Sequence, residues 1–158
     1  MARKQLAKTL ISPDETADLA AAFASVLKAG DTILLTGDIG AGKTHFSRSL
    51  IQHSLGYQED VPSPTFTLVQ TYDAPEHDIW HADLYRLSSP DEVVELGLTE
   101  AFETAVCLIE WPDRLEELAP ENALSLSLKM TETPGQRQLV ISWSAAKWDQ
   151  KIKDLHLD

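Results

Sequence analysis

The sequence predicts an α/β fold: three layers around a mixed sheet, with antiparallel hairpins added. Three observations predict it. Thr32–Thr36 is a short apolar, β-branched run, followed by a glycine-rich octet and then by a helical pattern. That is the strand–loop–helix unit from which parallel sheets are built. A second apolar run, residues 105–109, reads as another buried strand. Late in the chain, residues 122–130 and 138–143 alternate apolar with polar side chains around the turn Thr133-Pro134-Gly135, as an antiparallel hairpin does.

The elements follow in order. Residues 5–11 suit a short strand. Ser12-Pro13-Asp14-Glu15 opens a helix, with Ser12 at the N-cap, Pro13 in the first turn and Glu15 at the capping-box position. The helix runs through Leu19, Ala20, Phe23, Val26 and Leu27 and ends near Gly30. Gly30-Asp31 turns the chain into Thr32–Thr36; after the octet, Phe46, Leu50 and Ile51 mark a helix that stops at Gly56. Val61-Pro62-Ser63-Pro64-Thr65-Phe66 has two prolines in four residues, which excludes helix and central strand and leaves an ordered or switchable loop. Residues 67–72 and 78–84 form a hairpin joined by 73–77. Short helical turns at 90–97 and 99–102 lead to the strand 105–109, which ends in Glu110-Trp111-Pro112. The late hairpin is followed by an amphipathic helix over 145–155. With no repeat, low-complexity stretch or composition boundary, residues 1–158 read as a single domain.

Bulk chemistry narrows the function classes. Hydrophobic residues make up 43% and charged residues 24%, enough apolar content for an ordinary core. The one cysteine, Cys107, permits no internal disulfide and sits in an apolar run, as a buried bystander does. Arg3, Lys4 and Lys8 are not followed by a stretch long enough for a signal peptide or a membrane span, so a cytoplasmic protein without a membrane partner is expected. A net charge of −12 disfavours strong direct binding to nucleic acid by this chain alone.

The octet Gly37-Asp38-Ile39-Gly40-Ala41-Gly42-Lys43-Thr44 matches G-x-x-x-x-G-K-[ST] in full, between a strand and a helix. Its glycines let backbone N–H groups turn inward around phosphate oxygens, and the helix N-terminus adds partial positive charge. Lys43 is placed to reach the β- and γ-phosphates and the Thr44 hydroxyl to ligate Mg²⁺; His45 completes the nucleotide-binding segment. The fold is therefore read as P-loop NTPase-like, with a nucleotide and Mg²⁺ as its ligands. Hydrolysis also needs a carboxylate near the metal. Residues 106–110 form an apolar strand ending in Glu110, a Walker-B pattern with Glu where Asp is more usual. In His81-Ala82-Asp83-Leu84-Tyr85-Arg86, His81 and Asp83 share a strand face. Asp83 suits Mg²⁺ or water positioning; His77, His81 and Asp83 as a transition-metal set is a weaker alternative, and His81 is read as a structural histidine. Thr65 is either a γ-phosphate sensor in a switch loop or a routine loop threonine. Trp111 suits packing under the site or facing a partner; plain core packing is the alternative, and the two do not exclude each other. Thr9 and Arg137 are polar residues that could reach the adenine. A small metabolite kinase is the runner-up, although Arg48, Arg86, Arg114 and Arg137 are scattered rather than gathered in a lid. A nucleotide-sensing module without useful turnover is a third class. No N-K-x-D guanine signature is present, which argues against a GTPase.

The octet, Ser63-Pro64-Thr65-Phe66, His81-Ala82-Asp83-Leu84-Tyr85-Arg86 and Ile109-Glu110-Trp111-Pro112-Asp113 occur in that order at close spacing. In this the chain resembles the small bacterial ATPase family TsaE, once called YjeE, over nearly its whole length. The resemblance implies a role in installing threonylcarbamoyl on the adenosine beside the anticodon of tRNAs reading ANN codons. It implies binding to a TsaD–TsaB pair, which transfers the group made by TsaC, and resetting of that pair by ATP hydrolysis, with weak activity alone. By motif, Lys43, Thr44, Thr65, Asp83, Glu110 and Trp111 would be the functional positions.

Overall fold

The computed structural model describes residues 3–38, 40–56, 61 and 68–157. In chain order the elements are β1 (Lys4–Leu10), α1 (Pro13–Val26), β2 (Thr32–Thr36), α2 (Lys43–Leu55), β3 (Val69–Asp73), β4 (Asp78–Asp83), α3 (Asp91–Glu95), α4 (Leu98–Thr104), β5 (Val106–Glu110), a 3₁₀ segment (Pro112–Leu118), β6 (Leu124–Met130), β7 (Arg137–Trp143) and α5 (Lys147–Asp154). All seven strands join one sheet in the order β1-β7-β6-β2-β5-β4-β3. The β2–β5, β2–β6 and β4–β5 pairs are parallel, while β1–β7, β6–β7 and β3–β4 are antiparallel.

Residue type explains these places. β5 reads Val-Cys-Leu-Ile-Glu and is buried at every position, as a strand covered on both faces must be. β6 and β7 alternate buried with partly exposed residues and take the antiparallel side of the sheet. Along β5, Val106 and Leu108 face one core with Phe23 of α1 and Phe46 and Leu50 of α2. Cys107 and Ile109 face the opposite core, with Val93 of α3 and Leu98 and Ala101 of α4. The sheet thus carries helices on both faces, the three layers that the pattern predicts. Burial pushes the Cys107 thiol up to about 12, so it stays protonated.

Boundaries shift where a side chain competes for the backbone. α1 ends at Val26 rather than near Gly30, because the Asp31 carboxylate accepts the Lys28 N–H at 2.8 Å while Leu27 is already extended. At the other end, Ser12 Oγ accepts the Glu15 N–H at 3.3 Å as expected. The Glu15 carboxylate returns to the N–H of Ile11 rather than Ser12, at 2.9 Å, so Ile11 leaves β1. The 3₁₀ segment after β5 has no counterpart in the sequence reading; it is kinked at Glu116, which has φ 50°. The proline-braced loop at 62–67, with Thr65 and the expected strand start Thr67, lies outside the described residues, as does Ile39 of the octet. No helix among the described residues is long and apolar enough to cross a membrane.

Candidate functional site

The site forms at the carboxyl ends of three adjacent parallel strands: β2, β5 and β4. In such sheets the C-terminal strand edge is where the loops converge. β2 delivers the glycine-rich loop. Gly37 has φ 148°, and a Cβ there would lie inside van der Waals contact of the Leu128 carbonyl oxygen on β6. The residue type is therefore set by close packing of the loop against the sheet. Gly42, at φ 110°, forms the N-cap of α2 without a side chain, so the first turn of that helix opens directly onto the loop.

β5 and β4 deliver the carboxylates. Asp83 and Glu110 are register partners at the ends of these two strands, which places their backbones about 4.8 Å apart across the ladder. The backbone of this edge is held on both sides: Leu84 N–H donates to the Glu110 carbonyl at 3.1 Å and Trp111 N–H to the Leu35 carbonyl at 3.3 Å. Glu110 is 2% exposed and its carboxylate accepts three contacts. The Thr44 hydroxyl lies 2.9 Å from Oε1 and 3.1 Å from Oε2, and His81 Nε2 lies 2.6 Å from Oε2. Asp83 accepts the Tyr85 N–H at 3.1 Å. Burial, reinforced by Glu110, raises the Asp83 carboxyl above the usual range against the pull of the Tyr85 N–H, His81 and Lys43.

Lys43 turns back over its own loop. Its ammonium donates to the Gly37 carbonyl, donates to the Asp38 carbonyl at 3.1 Å, and stands 4.2 Å above the Trp111 ring. Burial lowers its pKa, while the carboxylates of Glu110, Asp83 and Asp38 pull it back up. Trp111 reaches this position through a left-handed backbone, φ 60° and ψ 55°, immediately after β5. Such a conformation is uncommon for a bulky residue and costs on the order of 1 kcal/mol or more. It swings the indole across the cleft, where the Tyr85 ring packs against it at a tilt of 53°, with centroids 4.9 Å apart. Gly40, Gly42, Lys43, Thr44, His45, Asp83, Tyr85, Arg86, Glu110 and Trp111 line the resulting cleft of about 500 Å³.

Lys43, Thr44, Asp83, Glu110 and Trp111 are thus brought together from β2–α2, β4 and β5. Gly40, Gly42 and His45 also line the cleft, while Asp38 and Gly37 contribute the carbonyls under Lys43. The cleft lining does not include Thr9 or Arg137. Thr9 pairs across the ladder with Gln138, and its hydroxyl donates to Gln138 Oε1 at 3.1 Å. Arg137 instead grips the loop, donating from Nε to the Ala41 carbonyl at 2.9 Å and from Nη2 to the Gly40 carbonyl at 3.2 Å. Among the described residues no group of three His, Cys, Asp or Glu side chains could hold a metal by itself, which disfavours the His77–His81–Asp83 set. The sequence reading missed Tyr85 and Arg86 as cleft residues, although the alternation of an extended H-x-D-x-Y-R run carries part of that signal. His81, read as a structural histidine, is buried and bonded to the Glu110 carboxylate.

The donor set fits a nucleotide with a hard divalent cation. One hydroxyl and two carboxylates are the oxygen ligands such an ion takes alongside water and phosphate, and they stand at the foot of a loop rich in backbone N–H groups.

Known proteins resemble this chain in sequence and in fold. The family model "Threonylcarbamoyl adenosine biosynthesis protein TsaE" matches residues 10–139. A tRNA threonylcarbamoyladenosine biosynthesis protein TsaE from Rickettsia bellii is 45% identical over 123 residues, covering 78% of this chain and 85% of that protein. The protein of the same description from Bacillus subtilis is 39% identical over 127 residues, covering 80% and 78%. The crystal structure of Bacillus subtilis YdiB superposes with a TM-score of 0.83 at 30% identity, over 99% of this chain and 97% of that one.

Proposed function

The chain belongs to the TsaE family of tRNA threonylcarbamoyladenosine biosynthesis proteins, and on that premise we propose that it is a Mg²⁺-dependent ATPase serving a TsaD–TsaB-like tRNA-modifying pair. The observation that carries the proposal is the contact between Thr44 and Glu110: a loop-end hydroxyl and a strand-end carboxylate, 2.9 Å apart, beside a buried lysine.

In this reading the loop is a phosphate loop. The amides of residues 40–44 and the Lys43 ammonium hold the polyphosphate, which displaces Lys43 from the Gly37 and Asp38 carbonyls onto stronger, charged acceptors. Arg137 occupies the carbonyl oxygens of Gly40 and Ala41, which keeps those oxygens from facing an anion. It is therefore proposed as a loop-shaping residue rather than an adenine contact. Thr44 and Glu110 would hold the cation, and bound Mg²⁺ would supply charge neutralisation for the leaving phosphates. Asp83, at the neighbouring strand end, orients water at the same edge. Trp111 and Tyr85 wall the cleft and keep bulk water off Lys43. Thr65 is proposed to act from the proline-braced loop as the sensor of the γ-phosphate. Hydrolysis would then reset the partner pair between rounds of modification.

The test compares wild type with Lys43→Ala and Glu110→Gln by calorimetric ATP titration and phosphate release. Lys43→Ala should lose tight ATP binding. Glu110→Gln should bind ATP within a few fold of wild type yet hydrolyse it about 10²-fold more slowly in the presence of the partners. A folded Lys43→Ala protein with wild-type affinity would overturn the phosphate-loop assignment. Wild-type turnover in Glu110→Gln would make that carboxylate structural.

A further inference from the structure

We propose that His81 is a positioning residue for Glu110: its Nε2–H ties down one carboxylate oxygen, so that the other is presented toward Thr44 and the cation. The inference deepens the ATPase reading and rests on Glu110 acting at the metal.

His81 lies on β4 beside Leu108 of β5 and is completely buried. From there, two positions before Asp83, its ring reaches diagonally to Glu110 rather than to its direct neighbour. The contact from Nε2 to Oε2 is 2.6 Å, short for a nitrogen donor and characteristic of a charge-assisted bond. Nδ1 is buried and has no hydrogen-bond partner among the described residues. A protonated Nδ1 would leave a donor unpaired in the core, at a cost of about 1–3 kcal/mol. The geometry therefore favours hydrogen on Nε2, donating to Glu110.

The two oxygens of Glu110 are then inequivalent. Oε2 accepts from His81 at 2.6 Å and from Thr44 at 3.1 Å, whereas among the described residues Oε1 accepts only from Thr44, at 2.9 Å. Oε1, which His81 does not hold, would be the oxygen presented to a bound cation. A carboxylate pinned at one oxygen cannot rotate to chelate through both or to fold away into the core. Partners that orient a ligand in this way typically contribute 10–100-fold to metal affinity or activity. A histidine retained only for packing would need neither the short bond nor a carboxylate as its neighbour.

The test uses His81→Gln, which keeps an N–H donor at a comparable reach, and His81→Phe, which fills the space without one. Mg²⁺ is titrated calorimetrically into each protein saturated with ADP, so that metal affinity is read without turnover; ATP hydrolysis with the partners is followed separately. ¹⁵N–¹H spectra of the nucleotide-free wild type report which ring nitrogen carries the proton. The expected results are an Nε2–H tautomer, a 10–100-fold loss of Mg²⁺ affinity in His81→Phe with Mg²⁺-free nucleotide affinity unchanged, and substantial recovery in His81→Gln. Equal losses in both variants would mean that His81 acts through packing and would overturn the proposal. So would Mg²⁺ affinity in His81→Phe equal to wild type. Glu110→Gln run alongside separates the two levels: if it too leaves Mg²⁺ affinity and hydrolysis intact, the assignment of Glu110 itself has failed.

Discussion

Gly37 shows what a single position must satisfy at this site. Its φ of 148° is one that side chains rarely adopt, and an added Cβ would meet the backbone oxygen of Leu128, which cannot rotate away. Gly37→Ala should therefore push the loop off β6, lower stability by about 1–3 kcal/mol and weaken ATP binding with it. By contrast Gly40, with nothing within 4 Å of its would-be Cβ, should cost less on substitution by Ala, chiefly through its φ of 85°. Urea unfolding of the two variants checks this order; equal losses would mean that strain in φ, not contact with β6, dominates at Gly37. At this scale the sequence was most legible where chemistry is local. The octet announces Lys43 and Thr44 within eight residues, and an apolar run ending in a carboxylate announces Glu110. Arg137 was not readable in the same way, because its bonds to Gly40 and Ala41 span 97 and 96 residues and depend on the order of strands. His81 needed the β4–β5 register before its neighbour could be known.

Elements are placed by a few charged anchors as well as by the apolar pattern. Asp31, just before β2, is 3% exposed and is held by Lys147 at 3.0 Å, by Lys151 and by the Lys28 N–H. It thereby joins α5 to the base of the central strand. Burial alone would raise its pKa, but the Lys151 hydrogen bond, the Lys28 N–H and Lys147 outweigh burial and hold it below the ordinary carboxylate value. A depressed folded-state pKa means that this anchor stabilises the fold fully above the unfolded value of about 3.9 and loses that contribution as pH falls through the lower folded value. Asp31→Asn should cost about 1–3 kcal/mol at pH 7, and the gap to wild type should close as the pH approaches 3 and below. Unfolding curves at pH 7, 4 and 3 decide it; a gap independent of pH would assign the loss to geometry rather than charge. Helices and hairpins were legible from capping, periodicity and turn residues, since those signals are short-range. The central place of β2, parallel to both β5 and β6, was not, because no local signal says which later strand comes to lie on either side. The 3₁₀ segment was missed for a related reason: it depends on the left-handed turn at Trp111, a conformation that a bulky residue before proline does not advertise.

At the scale of the molecule, a chain of net charge −12 carries a cleft whose positive groups among the described residues are Lys43 and Arg86. A field of that sign repels tRNA at long range, so any role in tRNA modification is best served through a protein partner that carries the RNA. Among the described residues the cleft is lined by one arginine, Arg86, and by no arginine-rich lid. Turnover alone should accordingly be slow, and the partner pair should raise it by adding groups or by ordering the site. If the attraction is electrostatic, association should weaken severalfold or more between 50 and 500 mM salt, about a threefold change in Debye length, mostly through a slower on-rate. The measurement combines binding kinetics across that salt range with modified tRNA counted per partner complex over time, with wild type, Lys43→Ala or no added chain. Wild type should permit many rounds where the other two stall near one. Many rounds without this protein, unchanged on adding it, would leave ATP binding intact but remove the resetting role; salt-independent binding would leave the role intact but place the interface on an apolar surface instead of the acidic one.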